Sequence, residues 1–136
     1  MGADPFAEVP LRFLIVDDSA AARATIRRAI ELAGFTGHTF VEAANGPEAL
    51  KIILQTPPDF VLCDWYMSPL NGLRVLQTAR AQGSRVRFGF VSSDTSAETQ
   101  QAAMTAGADF FLGKPYTSVE LRAAFEKAGF QPTQVG

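Results

Sequence analysis

Apolar runs and apolar stripes alternate along this chain, and their spacing predicts its elements. Residues 11–16 are apolar throughout apart from Arg12, the pattern of a strand covered on both faces. Residues 19–33 turn to helical spacing, with Ala22, Ile26, Ala29, Ile30 and Ala33 on one stripe and Gly34 as the stop. A second strand follows at residues 39–44, interrupted by Glu42. Asn45-Gly46-Pro47 opens a second helix, with Pro47 near its first position. Leu50, Ile53 and Leu54 give it an apolar face, and Pro57-Pro58 ends it. Residues 60–63 predict a short buried strand, and residues 70–82 a helix with Leu73, Leu76 and Ala79 inward. The fourth strand covers 86–91, where Gly89 marks a close contact or a bulge. A helix over 96–106 ends at Gly107, and a fifth strand follows at 109–112. The fifth helix covers 118–128, with Leu121 and Phe125 one turn apart and Thr117 with Glu120 fitting a capping box.

Strands alternating with helices predict an α/β fold: a doubly wound, flavodoxin-like, five-stranded parallel sheet with helices on both faces. Its common strand order is 2-1-3-4-5, and ligand chemistry in such sheets lies beyond the carboxyl ends of the strands. Polar residues stand where four of the apolar runs end: Asp17-Asp18, Asp64, Ser92 and Lys114. The first and third strands are neighbours in that order, so three carboxylates crowd one crevice. They repel one another, and a hard divalent cation relieves the repulsion. Mg²⁺ fits, since it takes few carboxylates, keeps several waters and accepts a phosphate oxygen. Lys114 offsets the acidic cluster or holds a phosphoryl oxygen, and the Ser92 hydroxyl can donate to one. Each group has a plain alternative. Asp17-Asp18 are ordinary loop caps, Lys114 is a surface lysine before a turn, and Ser92, Ser93 and Thr95 form a turn cluster. The recurrence at four strand ends favours one shared site. Pro115 also allows a cis bond after Lys114.

Composition narrows the function. At 136 residues the chain suits one domain, expected over residues 11–128 with short tails at 1–10 and 129–136. The net charge of −2 gives no electrostatic case for nucleic-acid binding. His38 is the single histidine, which excludes a histidine-based metal site or triad. Cys63 is the single cysteine, so no intrachain disulfide forms, and its apolar run predicts a buried inert thiol. The first ten residues carry Asp4 and Glu8 and no basic apolar leader, and no stretch reaches the length of a membrane span. The expectation is a soluble cytoplasmic protein. Phe13, Phe40, Phe60, Phe88 and Phe90 read as core, and Arg23, Arg27 and Arg28 as a solvated face.

The ordered set of short segments resembles a known family. Leu-Ile-Val-Asp17-Asp18-Ser with Arg23, Leu-Cys-Asp64-Trp-Tyr-Met67, Asn71-Gly72, Phe-Val-Ser92-Ser and Ala-Gly-Ala-Asp-Phe-Phe111-Leu-Gly-Lys114-Pro115 resemble a response-regulator receiver domain, of the stand-alone type of CheY. The resemblance covers about residues 11–128. It implies that Asp64 is the phosphoacceptor of a two-component phosphorelay. It implies Mg²⁺ bound by Asp18, Asp64 and the main-chain carbonyl of Tyr66, with Asp17 acting mainly through water. Ser92 and Lys114 would contact the phosphoryl group, and Ser92 and Phe111 would form the switch. The implied partners are a histidine kinase or phosphotransfer protein and a downstream target on the face of the fourth helix, fifth strand and fifth helix. A monomer is expected, without nucleic acid, membrane insertion, attached output domain, or catalysis beyond phosphotransfer to and hydrolysis from Asp64. Chemotaxis-type signalling is the family-level expectation.

Some positions depart from the family's pattern. Ser92 replaces the commoner Thr and keeps the hydroxyl, and Ser93 tightens phosphoryl access. Ser68 stands where proline is usual, with Pro69 one place late. Phe111 lacks a hydroxyl, so a switch there works by packing. Tyr66 is bulky, and the hypothesis is that it shields an aspartyl phosphate from water. Three alternatives compete: a phosphohydrolase with an aspartyl-phosphate intermediate, a flavin-binding domain, and a phosphorylation-independent pseudo-receiver. Tyr66 occupies the place of the hydrolase's second carboxylate, and Asp17-Asp18 would repel a flavin phosphate.

Overall fold

The structure is a computed structural model that describes residues 10–130. The predicted tails at 1–10 and 129–136 therefore lie outside the described residues, apart from Pro10, Gly129 and Phe130. The strands are β1 (Arg12–Val16), β2 (Thr39–Ala43), β3 (Phe60–Asp64), β4 (Arg87–Ser92) and β5 (Phe110–Gly113). The helices are α1 (Ala20–Leu32), α2 (Gly46–Gln55), α3 (Gly72–Ala81), α4 (Ala97–Thr105) and α5 (Ser118–Lys127). All paired strands are parallel, as the alternation predicted, and their order is β2-β1-β3-β4-β5, the common order of such sheets.

Successive strand residues point to opposite faces, and that period divides the core in two. Leu14, Val16, Val61, Cys63, Phe88 and Phe90 face α2, α3 and α4. Phe13, Ile15, Phe60, Leu62, Phe110 and Leu112 face α1 and α5. Rings dominate the second layer. Phe60 lies 5.1 Å from Phe125, 5.3 Å from Phe110 and 4.6 Å from Phe130, centroid to centroid. Phe130 is buried, so packing continues past the boundary expected at residue 128. Burial of one such ring contributes about 1.5–3 kcal/mol.

Boundaries shift from the expected ones for local reasons. The strands β3, β4 and β5 each run one residue further than their apolar runs, which makes Asp64 and Ser92 the last residues of strands. The helix α3 begins at Gly72, not residue 70, because the Asn71 side chain caps it by accepting from the Arg74 N–H at 2.9 Å. Ser19, Asn45, Ser96 and Thr117 cap the other four helices in the same way. The Thr117–Glu120 capping box is present in both directions. Gly89 is explained by a close approach: a Cβ there would overlap the ring of Phe110, its partner in β5.

The chain leaves β1 toward β2 on one side, then returns past β1 to β3. Carboxyl ends of β1 and β3 therefore open a crevice at the switch point. Val16 pairs with Cys63, so Asp17 and Asp64, the next residues along the chain, emerge side by side.

Candidate phosphoacceptor site

Asp17, Asp18 and Asp64 meet in that crevice. One carboxylate oxygen from each lies within 4.8 Å of the others. Asp17 is buried, Asp64 half-buried and Asp18 exposed, so the cluster is a cup open to solvent on the Asp18 side. Lys114 reaches in from the end of β5, its Nζ 3.6 Å from Asp17 Oδ2 and 3.9 Å from Asp64 Oδ1. The Lys114 N–H donates to the Ser92 carbonyl at 2.8 Å, and the Lys114–Pro115 bond is cis. Ser92 is fully buried at the end of β4, and its Oγ accepts from the Asp94 N–H at 3.1 Å. The three carboxylates and Lys114 therefore meet from three strand ends, and Ser92 ends the strand beside them, joined to Lys114 through its carbonyl.

The pocket suits a hard cation. Asp17 Oδ1 accepts from the Ser19 N–H at 2.9 Å, but Oδ2 is the one buried side-chain oxygen without a hydrogen bond among the described residues. The Lys114 ammonium, 3.6 Å away, offsets part of the cost of burying that charged oxygen, and a divalent cation in the cup would offset more of it. The donors are all oxygen, the set that Mg²⁺ prefers. Asp64 is pushed up from the ordinary carboxylate pKa, mainly by burial. Lys114 pulls it down, Asp17 pushes it up, the Trp65 N–H pulls it down, and Asp18 pushes it up. Cys63, beneath Asp64, is raised well above an ordinary thiol by burial, which fits the inert thiol expected from the sequence.

Aromatic side chains lie around the end of β3. Trp65 is nearly buried and packs edge-on against Phe90 at 4.8 Å and against Phe111 at 6.3 Å. Phe111 is half-buried, so the residue after Asp64 touches the predicted switch ring directly. Tyr66 points outward at 57% exposure. Its hydroxyl donates to Asp94 Oδ2 at 2.7 Å, spanning from the loop after β3 to the loop after β4. Asp94 also accepts from the Ser96 N–H and the Thr99 hydroxyl, and these bonds hold its pKa far below the usual range. Asp94 belongs to no motif in the sequence; its place two residues past Ser92 is its only signal there. The loop after β3 also contains a cis Ser68–Pro69 bond, at the place where the proline pattern departs. Gly72 is required where α3 meets β3, since a Cβ would overlap the Asp64 carbonyl.

Arg23 departs from the solvated-face expectation. Its side chain is only 15% exposed and its Nε donates to Glu42 at 2.7 Å, which accounts for the charge that interrupts β2. Arg27 lies over the Phe40 ring at 4.8 Å. Arg28, with Leu32, Tyr116 and Pro115, lines a 560 Å³ groove between α1 and α5 that reaches Lys114.

A doubly wound parallel sheet with an acidic cup and a lysine at its carboxyl edge is the plan of a receiver-type α/β domain, and sequence comparison agrees. The chain belongs to the response regulator receiver domain family, whose profile matches residues 13–126. Response regulator MprA of Mycobacterium sp. (strain KMS) is 36% identical over 115 residues, covering 85% of this chain and 49% of that protein. Transcriptional regulatory protein PrrA of Mycobacterium leprae (strain TN) is 36% identical over 112 residues, covering 82% and 47%. The chain thus spans about half the length of these curated relatives. Among solved structures, the receiver domain of Francisella response regulator 1452 superposes with a TM-score of 0.76 at 26% identity, covering 87% of this chain and 96% of that one. Chemotaxis protein CheY4 of Vibrio cholerae has the same fold, with a TM-score of 0.77 at 24% identity over 88% and 99%. The chain is therefore a receiver domain of the two-component response-regulator family. No helix among the described residues is long and apolar enough to cross a membrane.

Proposed function

We propose that this receiver is a phosphorylation switch in which Asp64 takes a phosphoryl group from a histidine kinase or phosphotransfer protein. The observation that carries the proposal is the three-carboxylate cup, with Lys114 at its edge and Asp17 Oδ2 without a hydrogen bond. The Asp64 carboxylate attacks phosphorus, the P–N bond of the phosphohistidine breaks, and the imidazole keeps the electron pair and takes up a proton. Asp17, Asp18, Asp64 and the Tyr66 carbonyl would hold Mg²⁺, Asp17 mainly through water. Bound there, the ion neutralises charge on the phosphoryl oxygens. Lys114 binds a second phosphoryl oxygen, and Ser92 donates its hydroxyl to a third. The phosphoryl group is dianionic and rich in acceptors, so it biases the Ser92 and Phe111 arrangement. The contact from Phe111 to Trp65 offers a packing route from Asp64 to β5.

Turnover is confined to the chain's own Asp64, so it is not an enzyme toward a separate substrate. The groove between α1 and α5 is the proposed kinase-facing surface, since it reaches Lys114. Output goes to a protein target on the α4–β5–α5 face, in the cytoplasm, from a monomer. The similarity to a transcriptional regulatory protein, and the half-length coverage of the relatives, favour a second reading of output. In it the switch governs a transcription-regulating unit in place of a chemotaxis-type partner.

Trp65 is the single tryptophan and adjoins Asp64, so its fluorescence tests the proposal. It should respond to Mg²⁺, and again to beryllofluoride in the presence of Mg²⁺. A folded protein that responds to neither removes the proposal in favour of a phosphorylation-independent binding module.

A further inference from the structure

Asp17 is tethered at every polar atom except one. Its N–H donates to the Ala43 carbonyl at 3.2 Å, and its Oδ1 accepts from the Ser19 N–H at 2.9 Å. Its carbonyl accepts from Arg23 Nη1 at 2.7 Å. Oδ2 alone is left, buried beside Lys114. Two of the three tethers are backbone donors or acceptors of neighbouring segments. Only the third is a side chain.

Arg23 stands on the first turn of α1 and joins three elements. One guanidinium binds the Asp17 carbonyl at the end of β1 and Glu42 on β2. The Asp17 carbonyl belongs to the planar peptide that leads into Asp18, so holding that oxygen sets the direction in which Asp18 leaves. A lysine could not span both acceptors, because its charge is a single point and not a fork. Glu42 matters to the same end. An unpaired guanidinium beside the cup would repel a cation, whereas a paired one supplies a fixed donor with little net charge.

We infer that Arg23 is a positioning residue for the cation of the acidic cup, fixing the Asp17–Asp18 peptide, with Glu42 as its neutralising partner. The inference rests on the proposed Mg²⁺ role of that cup.

Mg²⁺ alone is the probe, titrated against Trp65 fluorescence in the full chain, with thermal midpoints measured separately in EDTA. Supporting groups behind metal ligands typically change affinity 10–100-fold, so Arg23→Ala should weaken Mg²⁺ about tenfold. This direction is diagnostic. Loss of a positive charge, with Glu42 left behind, would by Coulomb's law tighten Mg²⁺, so weakening reports lost geometry. The deficit should persist in high salt. Glu42→Gln should also weaken Mg²⁺, but its deficit should shrink as salt screens the unpaired Arg23. Arg23→Lys keeps the charge and should recover only part of the affinity; it carries the test if Arg23→Ala does not fold. Wild type that binds Mg²⁺ with Arg23→Ala and Arg23→Lys within twofold of it would overturn the inference alone. Wild type that shows no Mg²⁺ response by fluorescence or calorimetry would overturn the reading of the cup and the inference with it.

Discussion

Replacing Lys114 with methionine removes one charge from the cup while keeping most of the apolar stem. Lys114 Nζ sits 3.9 Å from Asp64 Oδ1. At that distance a unit pair is worth about 1 kcal/mol in water and about 4 kcal/mol at an effective dielectric of 20. The Lys114 side chain is 32% exposed, so solvent screening favours the low end, about 1–2 kcal/mol. Burial already pushes Asp64 up and Lys114 is the largest opposing influence, so Lys114→Met should raise the Asp64 pKa further. A folded-state pKa above the unfolded one means the metal-free fold holds this proton more tightly. Its contribution to stability is therefore greatest below the unfolded pKa and is lost as pH rises through the folded one. Lys114→Met should widen that window and deepen the loss at neutral pH. The assay is a carbon-detected NMR titration of the Asp64 carboxyl in EDTA, with denaturant melts across the same pH range. Asp17 and Asp18 couple to Asp64, so the midpoints compared are those of the cluster. Unchanged midpoints in Lys114→Met would refute the electrostatic role given to the lysine.

Tyr66 separates two effects. If its ring shields an aspartyl phosphate, Tyr66→Asn should speed autodephosphorylation several-fold, while Tyr66→Phe, which loses only the bond to Asp94, should stay near wild type. An unchanged rate in Tyr66→Asn sinks the shielding idea. Phe130→Ala should destabilise the fold by about 2 kcal/mol, below the ~3–5 kcal/mol of a mid-core phenylalanine because the residue lies just past α5. A melt within 0.5 kcal/mol of wild type, a margin typical of surface changes, would mean that Phe130 is not part of the core.

Much of this molecule was legible from residue order because its signals are local. Continuous apolar runs gave the strands, apolar stripes gave the helices, and Ser19, Asn45, Ser96 and Thr117 stand at helix starts as their chemistry requires. The cup was legible because a parallel sheet brings strand ends to one edge, so Asp17, Asp64 and Lys114 needed only the strand order to meet. What escaped the sequence depends on partners far along the chain. Arg23 finds Glu42 nineteen residues away, and Tyr66 finds Asp94 twenty-eight residues away. Neither pair has a spacing rule, so the sequence places Arg23 on a solvated face and assigns Asp94 no role. Gly89 sent a correct local signal of close approach, but the ring it makes room for, Phe110, belongs to the next strand. Phe130 lay beyond the last apolar stripe, and only the packing of rings around Phe60 and Phe13 reveals its place.

On the proposed function, Asp64 accepts the phosphoryl group in a cup that needs a divalent cation. Wild type and Asp64→Asn should be incubated with a small phosphodonor, with Mg²⁺ or with EDTA, then reduced with borohydride, which converts an aspartyl phosphate to homoserine. Mass spectrometry of the peptide containing residue 64 should find homoserine only in wild type with Mg²⁺. Homoserine at Asp17 or Asp18, or equal conversion at Asp64 in EDTA, would rule out Asp64 as a cation-dependent acceptor.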